Sequence, residues 1–214
     1  MEKRFLLLLM SLLCMASLQA ADYYYSHTAR YKSMGTSILA NGDFADGTRG
    51  WTNQDGENVN AEIWSVESGV APDGGYSIMS LKGDAEVGNA LAQTVSLTPG
   101  TYVVSYYIKA ETTTSTSVTV DKENYLDIFL NADGSLVKSA DAVQVATAET
   151  VTDEWTQVVA AVEAENETSL VFVAQRLAAG MMIANVEVVP VAEVYDIRRL
   201  QRIIAYADQL LADE

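Results

Sequence analysis

The chain has 214 residues, 49% of them apolar, and sets 13 basic residues against 29 acidic ones for a formal charge of −16. Charge of that sign is repelled by nucleic acid and by anionic membrane surfaces, which bind basic patches. One cysteine (Cys14) and one histidine (His27) leave nothing from which to build a disulfide or a Cys/His metal cluster.

Glu2-Lys3-Arg4 opens the chain and Phe5 to Leu18 follows as an apolar run. Ser17-Leu18-Gln19-Ala20 then offers small residues for cleavage after Ala20. This reads as a secretory signal over residues 1–20, and the run is short of the roughly 20 apolar residues that a membrane span needs. The expected location is therefore secreted, periplasmic or cell-surface, with no membrane insertion. Leu13 precedes Cys14 where lipoprotein signals carry Gly, Ala or Ser, which argues against a lipid anchor at Cys14.

Residues 21–36 form a polar, tyrosine-rich lead-in. Short runs rich in Val, Thr, Tyr and Ile follow at close spacing, punctuated by Gly, Asp and Asn. The predicted strands are Ala61–Val66, Tyr76–Lys82, Asn89–Leu97, Thr101–Ala110, Ser117–Val120, Tyr125–Leu130, Ala142–Thr147, Trp155–Val162, Ser169–Gln175 and Met181–Val189. Turns are expected at Pro99-Gly100 and at Asp133-Gly134, the latter joining Tyr125–Leu130 to Ser135–Lys138 as a hairpin. The pattern predicts an all-β fold, an antiparallel two-sheet β-sandwich over residues 37–190.

Two strands alternate clearly. Tyr102, Val104, Tyr106 and Ile108 form one face and are assigned to the core. Val103, Ser105, Tyr107 and Lys109 then look toward water. Likewise Leu126, Ile128 and Leu130 are assigned to the core and Tyr125, Asp127 and Phe129 to the outside. Trp51 and Trp155 read as core packing, while Trp64 is open.

After Pro190 the period changes. Ile197, Leu200, Ile203, Ile204, Ala207, Leu210 and Leu211 recur every three or four residues, with Arg198, Arg199, Arg202 and Asp208 largely between them. Residues 191–214 are therefore expected to form an amphipathic C-terminal α-helix. Its apolar stripe docks on the sandwich or pairs with a helical partner through residues 196–212.

Catalytic signatures are missing. There is no G-x-S-x-G, P-loop, G-x-G-x-x-G after a strand, or H-E-x-x-H. His27 has no recognisable catalytic partner. The acids do not single out a carboxylate pair for glycoside hydrolysis. The expectation is a non-enzyme.

Residues 38–51, Ile-Leu-Ala-Asn-Gly-Asp-Phe-Ala-Asp-Gly-Thr-Arg-Gly-Trp, follow the pattern N-G-D-F-x-x-G-x-x-x-W. Residues 91–110 add a strand, a Pro-Gly turn, then Tyr-x-hydrophobic-x-aromatic-x-hydrophobic-Lys-Ala. Tyr76–Lys82, Trp155–Val158 and Ile183–Val188 extend the match over about residues 37–190. The segment resembles secreted jelly-roll carbohydrate-binding modules of the family 4, 9 and 22 (galactose-binding-domain-like) type from glycan-using bacteria. The resemblance implies reversible binding of a polysaccharide or oligosaccharide by aromatic stacking and hydrogen bonds on one sheet face. The residues proposed for this are Tyr107, Tyr125, Phe129, Asp127, Lys109, Gln175 and Arg176, with Ser105 as a further polar candidate. The alternative is a structural or protein-interaction module of a larger glycan-processing protein. Leu200–Asp213 resembles the first helix of FIVAR-type helical modules. The family turn also implies a structural calcium ion, here at Asp43 and Asn185, although Ala184-Asn185 stands where the family commonly carries an Asp pair.

Overall fold

The computed structural model describes residues 23–25, 29–82, 90–110, 117–119, 126–146, 150–174, 177 and 179–194. The signal segment, His27, Tyr125, Gln175, Arg176 and residues 195–214 of the helix expected over 191–214 lie outside them, while the first residues of that span, 191–193, are extended strand and not helix because they pair with an antiparallel neighbour. The described strands are β1 (Tyr23–Tyr25), β2 (Arg30–Ser33), β3 (Trp64–Ser68), β4 (Tyr76–Ser80), β5 (Leu91–Leu97), β6 (Gly100–Ala110), β7 (Ser117–Thr119), β8 (Leu126–Asn131), β9 (Val143–Ala146), β10 (Thr150–Thr152), β11 (Thr156–Ala164), β12 (Thr168–Ala174) and β13 (Met181–Glu193).

A seven-stranded sheet is organised around the 13-residue β13. Met182–Ala184 pairs with β4, Met181–Pro190 with β6, and Val191–Glu193 with β2. β3 extends the sheet beyond β4, β1 beyond β2, and β11 beyond β6. A four-stranded sheet has the order β5-β12-β8-β9, and β7 pairs with β10. Every pairing is antiparallel. The residues described around these sheets contain no helix.

One core joins the two sheets. The larger sheet contributes Tyr102, Val104, Tyr106, Ile108, Ile78 and Ile183, and the smaller contributes Leu91, Val95, Leu126, Ile128, Leu170 and Phe172. The alternation read from Thr101–Ala110 therefore sets the inward face. Leu130 is half-buried against the same core.

Through the core runs a chain of rings. Phe44 stacks on Trp51 at 5.2 Å, Trp51 meets Phe172 edge-on at 5.4 Å, and Phe172 meets Tyr106 edge-on at 5.9 Å. Such contacts add about 0.5–1.5 kcal/mol each beyond area burial. Trp64 is also buried in this core, whereas Trp155 is only half-buried and donates from Nε1 to the Val70 carbonyl.

The outward faces differ from the sequence expectation. Val103 and Ser105 do not meet water. Val103 packs with Tyr24, Val189 and Val191, because the β1–β2 hairpin, inside the segment read as a polar lead-in, lies beside β13. Asp127 and Phe129 are 8% and 1% exposed, because Leu136 and Ala142 cover that side of the smaller sheet. Residues 135–138 are not a strand. Gly134 (φ 70°) makes the expected turn back to Asn131, but the next partner of β8 is β9. Asn131 Nδ2 instead donates to the carbonyls of Ser135 and Val137, which folds the intervening loop back over the sheet.

Replacing Trp51 with Ala removes the middle ring of the chain. Large-to-small changes of this kind cost about 3–5 kcal/mol, and denaturant unfolding should show a loss of that size with a cooperative transition retained.

Two phenols are held neutral. Burial pushes the Tyr106 hydroxyl well above the usual value near 10, and Tyr24 is raised first by burial and then by the Glu187 carboxylate that accepts its hydrogen bond. The unfolded chain ionises these groups near pH 10 while the folded chain keeps both protons, so their contribution is whole below pH 10 and is lost as pH rises above it. Unfolding measured against pH should show stability falling beyond about pH 10, with a shallower fall in Tyr106→Phe.

Candidate functional site

Two sites come together from segments far apart in sequence. The first lies on the outer face of the four-stranded sheet. Strand registry sets Ala92, Val173 and Asp127 in one row across β5, β12 and β8, and Thr94, Val171 and Phe129 in the next. This face is more apolar than an exposed sheet face, since Ala90, Ala92, Phe129, Val171 and Val173 form a buried cluster. The loop over 132–142 covers part of it through Leu136.

The part left open is a pocket of about 450 Å³, lined by Gln54, Asp127, Phe129, Leu136, Val137, Lys138 and Val173. That volume lies within the roughly 300–1,000 Å³ of small-ligand sites. Lys138 Nζ donates to Asp127 Oδ2 at 3.2 Å and sits 5.8 Å from the Phe129 ring centroid. Gln144 donates to the other carboxylate oxygen and accepts from Lys138, so carboxylate, amide and ammonium form a closed triangle.

Across the pocket stands Gln54. The Thr52–Ala92 bridge anchors its loop to β5, and Asn53 Oδ1 closes the loop by accepting from the amides of Asp55 and Glu57. Gln54 Oε1 is buried and has no hydrogen-bond partner. A buried acceptor left unpaired costs about 1–3 kcal/mol.

The second site is the junction of the Asn41-Gly42-Asp43 turn with β13. The registry of β13 against β6 slips between Ala184 and Glu187, and Asn185 takes φ 48°. Gly42 seats in this bulge, where its carbonyl accepts from the Val186 amide at 2.9 Å. A Cβ at position 42 would lie 1.8 Å from the Val186 carbonyl oxygen, so only glycine fits. Asn41 ties the turn together by accepting from the Asp46 amide and donating to the carbonyls of Gly47 and Arg49.

Asp43, Asn185 and Glu187 line the resulting cavity of about 210 Å³. Asn185 Oδ1 is buried and unpartnered. The donors are all oxygens, the set that calcium takes, and the open Asn185 oxygen fits such an ion. Among the described residues no three acid, His or Cys side chains are grouped for a metal, so carbonyl oxygens would have to complete its shell.

The residues nominated from sequence do not make one site. Asp127 and Phe129 meet in the pocket on the smaller sheet. Tyr107 and Lys109 lie on β6, on the outer face of the other sheet, where Tyr107 is half-buried beside Gln157 and Ala184 and Lys109 sits 5.0 Å from the Trp155 ring centroid. Ser105, behind the same face, is buried. Gln54, Lys138 and Gln144 were missed, because Gln54 and Lys138 depend on loops folding back over the sheet and Gln144 on the pairing of β9 with β8. The W-x-x-Gln spacing and the apolar Leu136-Val137 pair inside a polar loop were the available signals.

No family model matches the chain, and no curated protein matches it. Among solved structures it is similar to carbohydrate-binding modules. One is the CBM22-1 xylan-binding domain of Xyn10C from Paenibacillus barcinonensis, 17% identical over 75% of this chain and 94% of that one, with a TM-score of 0.46. Another is the CBM22-1 and GH10 portion of endo-1,4-beta-D-xylanase 10B from Clostridium thermocellum, complexed with xylohexaose, 12% identical over 73% of this chain and 29% of that one, at 0.49. A third is CBM6cm-2 of lichenase 5A from Cellvibrio mixtus, in complex with cellotriose, 10% identical over 76% and 99%, at 0.35.

Proposed function

We propose that this protein is an exported, non-catalytic carbohydrate-binding module that holds a neutral glycan reversibly in the pocket over the four-stranded sheet. The observation that carries the reading is the pairing of an unsatisfied buried acceptor, Gln54 Oε1, with the nearly buried Asp127 carboxylate across one apolar-walled pocket. Sugars present hydroxyl donors on an apolar C–H framework. Asp127 and Gln54 accept from hydroxyls and Lys138 donates to one. Leu136 and Val137 meet the C–H surface, with Phe129 buried behind them. Lys138 balances Asp127, so the pocket favours neither an anion nor a cation. Export follows from the signal-like residues 1–20.

The test is affinity electrophoresis of the full chain through xylan, galactan and mixed-linkage β-glucan, followed by titration with xylohexaose and cellotriose. At least one polysaccharide should retard the protein. Asp127→Asn should weaken binding about tenfold or more, as loss of a charge-assisted hydrogen bond implies, and Gln54→Ala up to about tenfold, as loss of a neutral one implies. Tyr107→Ala, on the opposite sheet, should bind as the parent does. Retardation by none, or loss of binding in Tyr107→Ala alone, would overturn the assignment.

The reading includes a structural calcium ion held by Asp43 and Asn185. When bound it would supply charge and stiffness at the turn and no bond-making chemistry. Melting followed with added calcium and with chelator should show a higher midpoint in calcium, since an ion bound only by the folded state at about 100 times its Kd contributes about 2.7 kcal/mol. Asn185→Ala should abolish that difference. Equal midpoints in both conditions would remove calcium from the account.

A further inference from the structure

A third feature is the free edge of the four-stranded sheet. β5 pairs with β12 on one side, and its other side faces a groove of about 720 Å³. The direction of its backbone groups follows from one residue. Ala92 donates its N–H to the Thr52 carbonyl and accepts from the Thr52 amide, so both groups point away from β12. In an antiparallel strand the pattern repeats every second residue. The N–H and C=O groups of Thr94 and Ser96 therefore point the same way, into the groove. Among the described residues no backbone partner meets them there.

The far wall is the segment around Ile38, whose N–H is taken by the Val188 carbonyl. At the closed end Gln93 spans the gap with its side chain. Its Oε1 accepts from the Ala40 amide at 2.8 Å and its Nε2 donates to the Ala40 carbonyl at 3.0 Å. One carboxamide thus does there what a peptide unit of an added strand would do further along. From Thr94 to Thr98 the open stretch runs about 13 Å at about 3.3 Å per residue, the length of four extended residues.

The chemistry of the lining sets the occupant. No lining residue is charged, in a chain with 29 acids and 13 bases. Ile38 is 43% exposed, and Val95, Tyr102 and Pro190 complete an apolar strip beside the open backbone groups. Sheet edges are commonly protected by a charge, a proline or a bulge. β5 (Leu-Ala-Gln-Thr-Val-Ser-Leu) carries none of them.

We propose that this groove is a docking site for an extended, uncharged polypeptide strand from a partner protein, which adds to the sheet beside β5. Main-chain bonds to Thr94 and Ser96 would give the affinity. Alternate apolar side chains of the guest, set against Ile38 and Tyr102, would give the selectivity, as in other strand-addition sites. Its lining shares no residue with that of the pocket holding Asp127 and Gln54.

The probe is the blocked peptide Ac-Thr-Val-Ser-Val-Thr-Gly-NH2, titrated into isotopically labelled full chain. Saturable shifts of the Thr94 and Ser96 amide signals are expected, with slowed hydrogen exchange at both. A peptide N-methylated at alternate residues should not bind. Ser96→Pro removes an N–H that β12 does not use and should abolish binding. Ile38→Lys, at an exposed position, should weaken it at least tenfold and serves if Ser96→Pro fails to fold. Gln54→Ala should leave it unchanged. No shift at Thr94 and Ser96, binding that survives Ile38→Lys, or self-association of the chain through β5 in place of peptide binding would each overturn the proposal.

Discussion

The contact on which the molecule turns is that of Trp51 with Phe44 and Phe172. Phe44 belongs to the turn, Phe172 to the smaller sheet, and Tyr106, next along, to the larger one. Four rings thus bolt an irregular segment to both layers at once. Trp51 Nε1 also donates to the Asn41 carbonyl, so the indole that fills the core is hydrogen-bonded to the start of its own turn. Downstream, Thr52 bridges to Ala92 and Gln54 follows within the same loop. The placement of a pocket residue on the surface is a consequence of the placement of a tryptophan in the core.

The two outer faces are solved differently. The larger sheet hides Val103 beneath a hairpin, and its polar contact there is Tyr24 with Glu187. The smaller sheet hides Phe129 beneath a loop and keeps a carboxylate nearly buried. Removing a charge from water costs several kcal/mol unless it is paired and hydrogen-bonded, and Asp127 is both, through Lys138 and Gln144. Its partners come from the covering loop and from β9, so the charge and the cover stabilise each other. A fold needing only a closed face would use an aliphatic residue at 127. The proposed glycan reading gives the balanced ion pair at the rim of this apolar pocket a role beyond packing.

Much of this was legible in the chain. The two-residue period of Thr101–Ala110 identified Tyr102, Val104, Tyr106 and Ile108 as core, because a strand facing a core on one side leaves that mark. The Asn41–Trp51 pattern marked a turn, because Gly42 and Trp51 are demanded by steric contact and by core volume. The second cover was not legible. Val103, Asp127 and Phe129 alternate correctly and do face away from the core, yet period two cannot tell an open face from one over which a hairpin or loop has folded. Asp133-Gly134 signalled a turn truthfully but not the path of the chain beyond it. Asn131 captures the next carbonyls and diverts the chain from a hairpin into a lid. Side-chain capture of backbone four and six residues on leaves only a one-residue signature in the sequence.

Backbone strain points to the same junction as the packing does. Among the described residues the non-glycine positions with positive φ are Asn41, Phe44 and Asn185. Each costs on the order of 1–3 kcal/mol and persists only where surroundings over-determine it. Asn tolerates that conformation, but a phenylalanine does so poorly, and Phe44 is held there by full burial of its ring against Trp51. Asn41 is locked by its bonds to residues 46, 47 and 49. Asn185 differs: its side-chain oxygen finds no partner, so hydrogen bonding at that atom does not offset the strain. Under the calcium proposal, this strained residue with an unanswered buried acceptor, beside a cavity that Asp43 also lines, would be organised before the ion arrives. The core that fixes Phe44 and Trp51 meets that organising cost in advance.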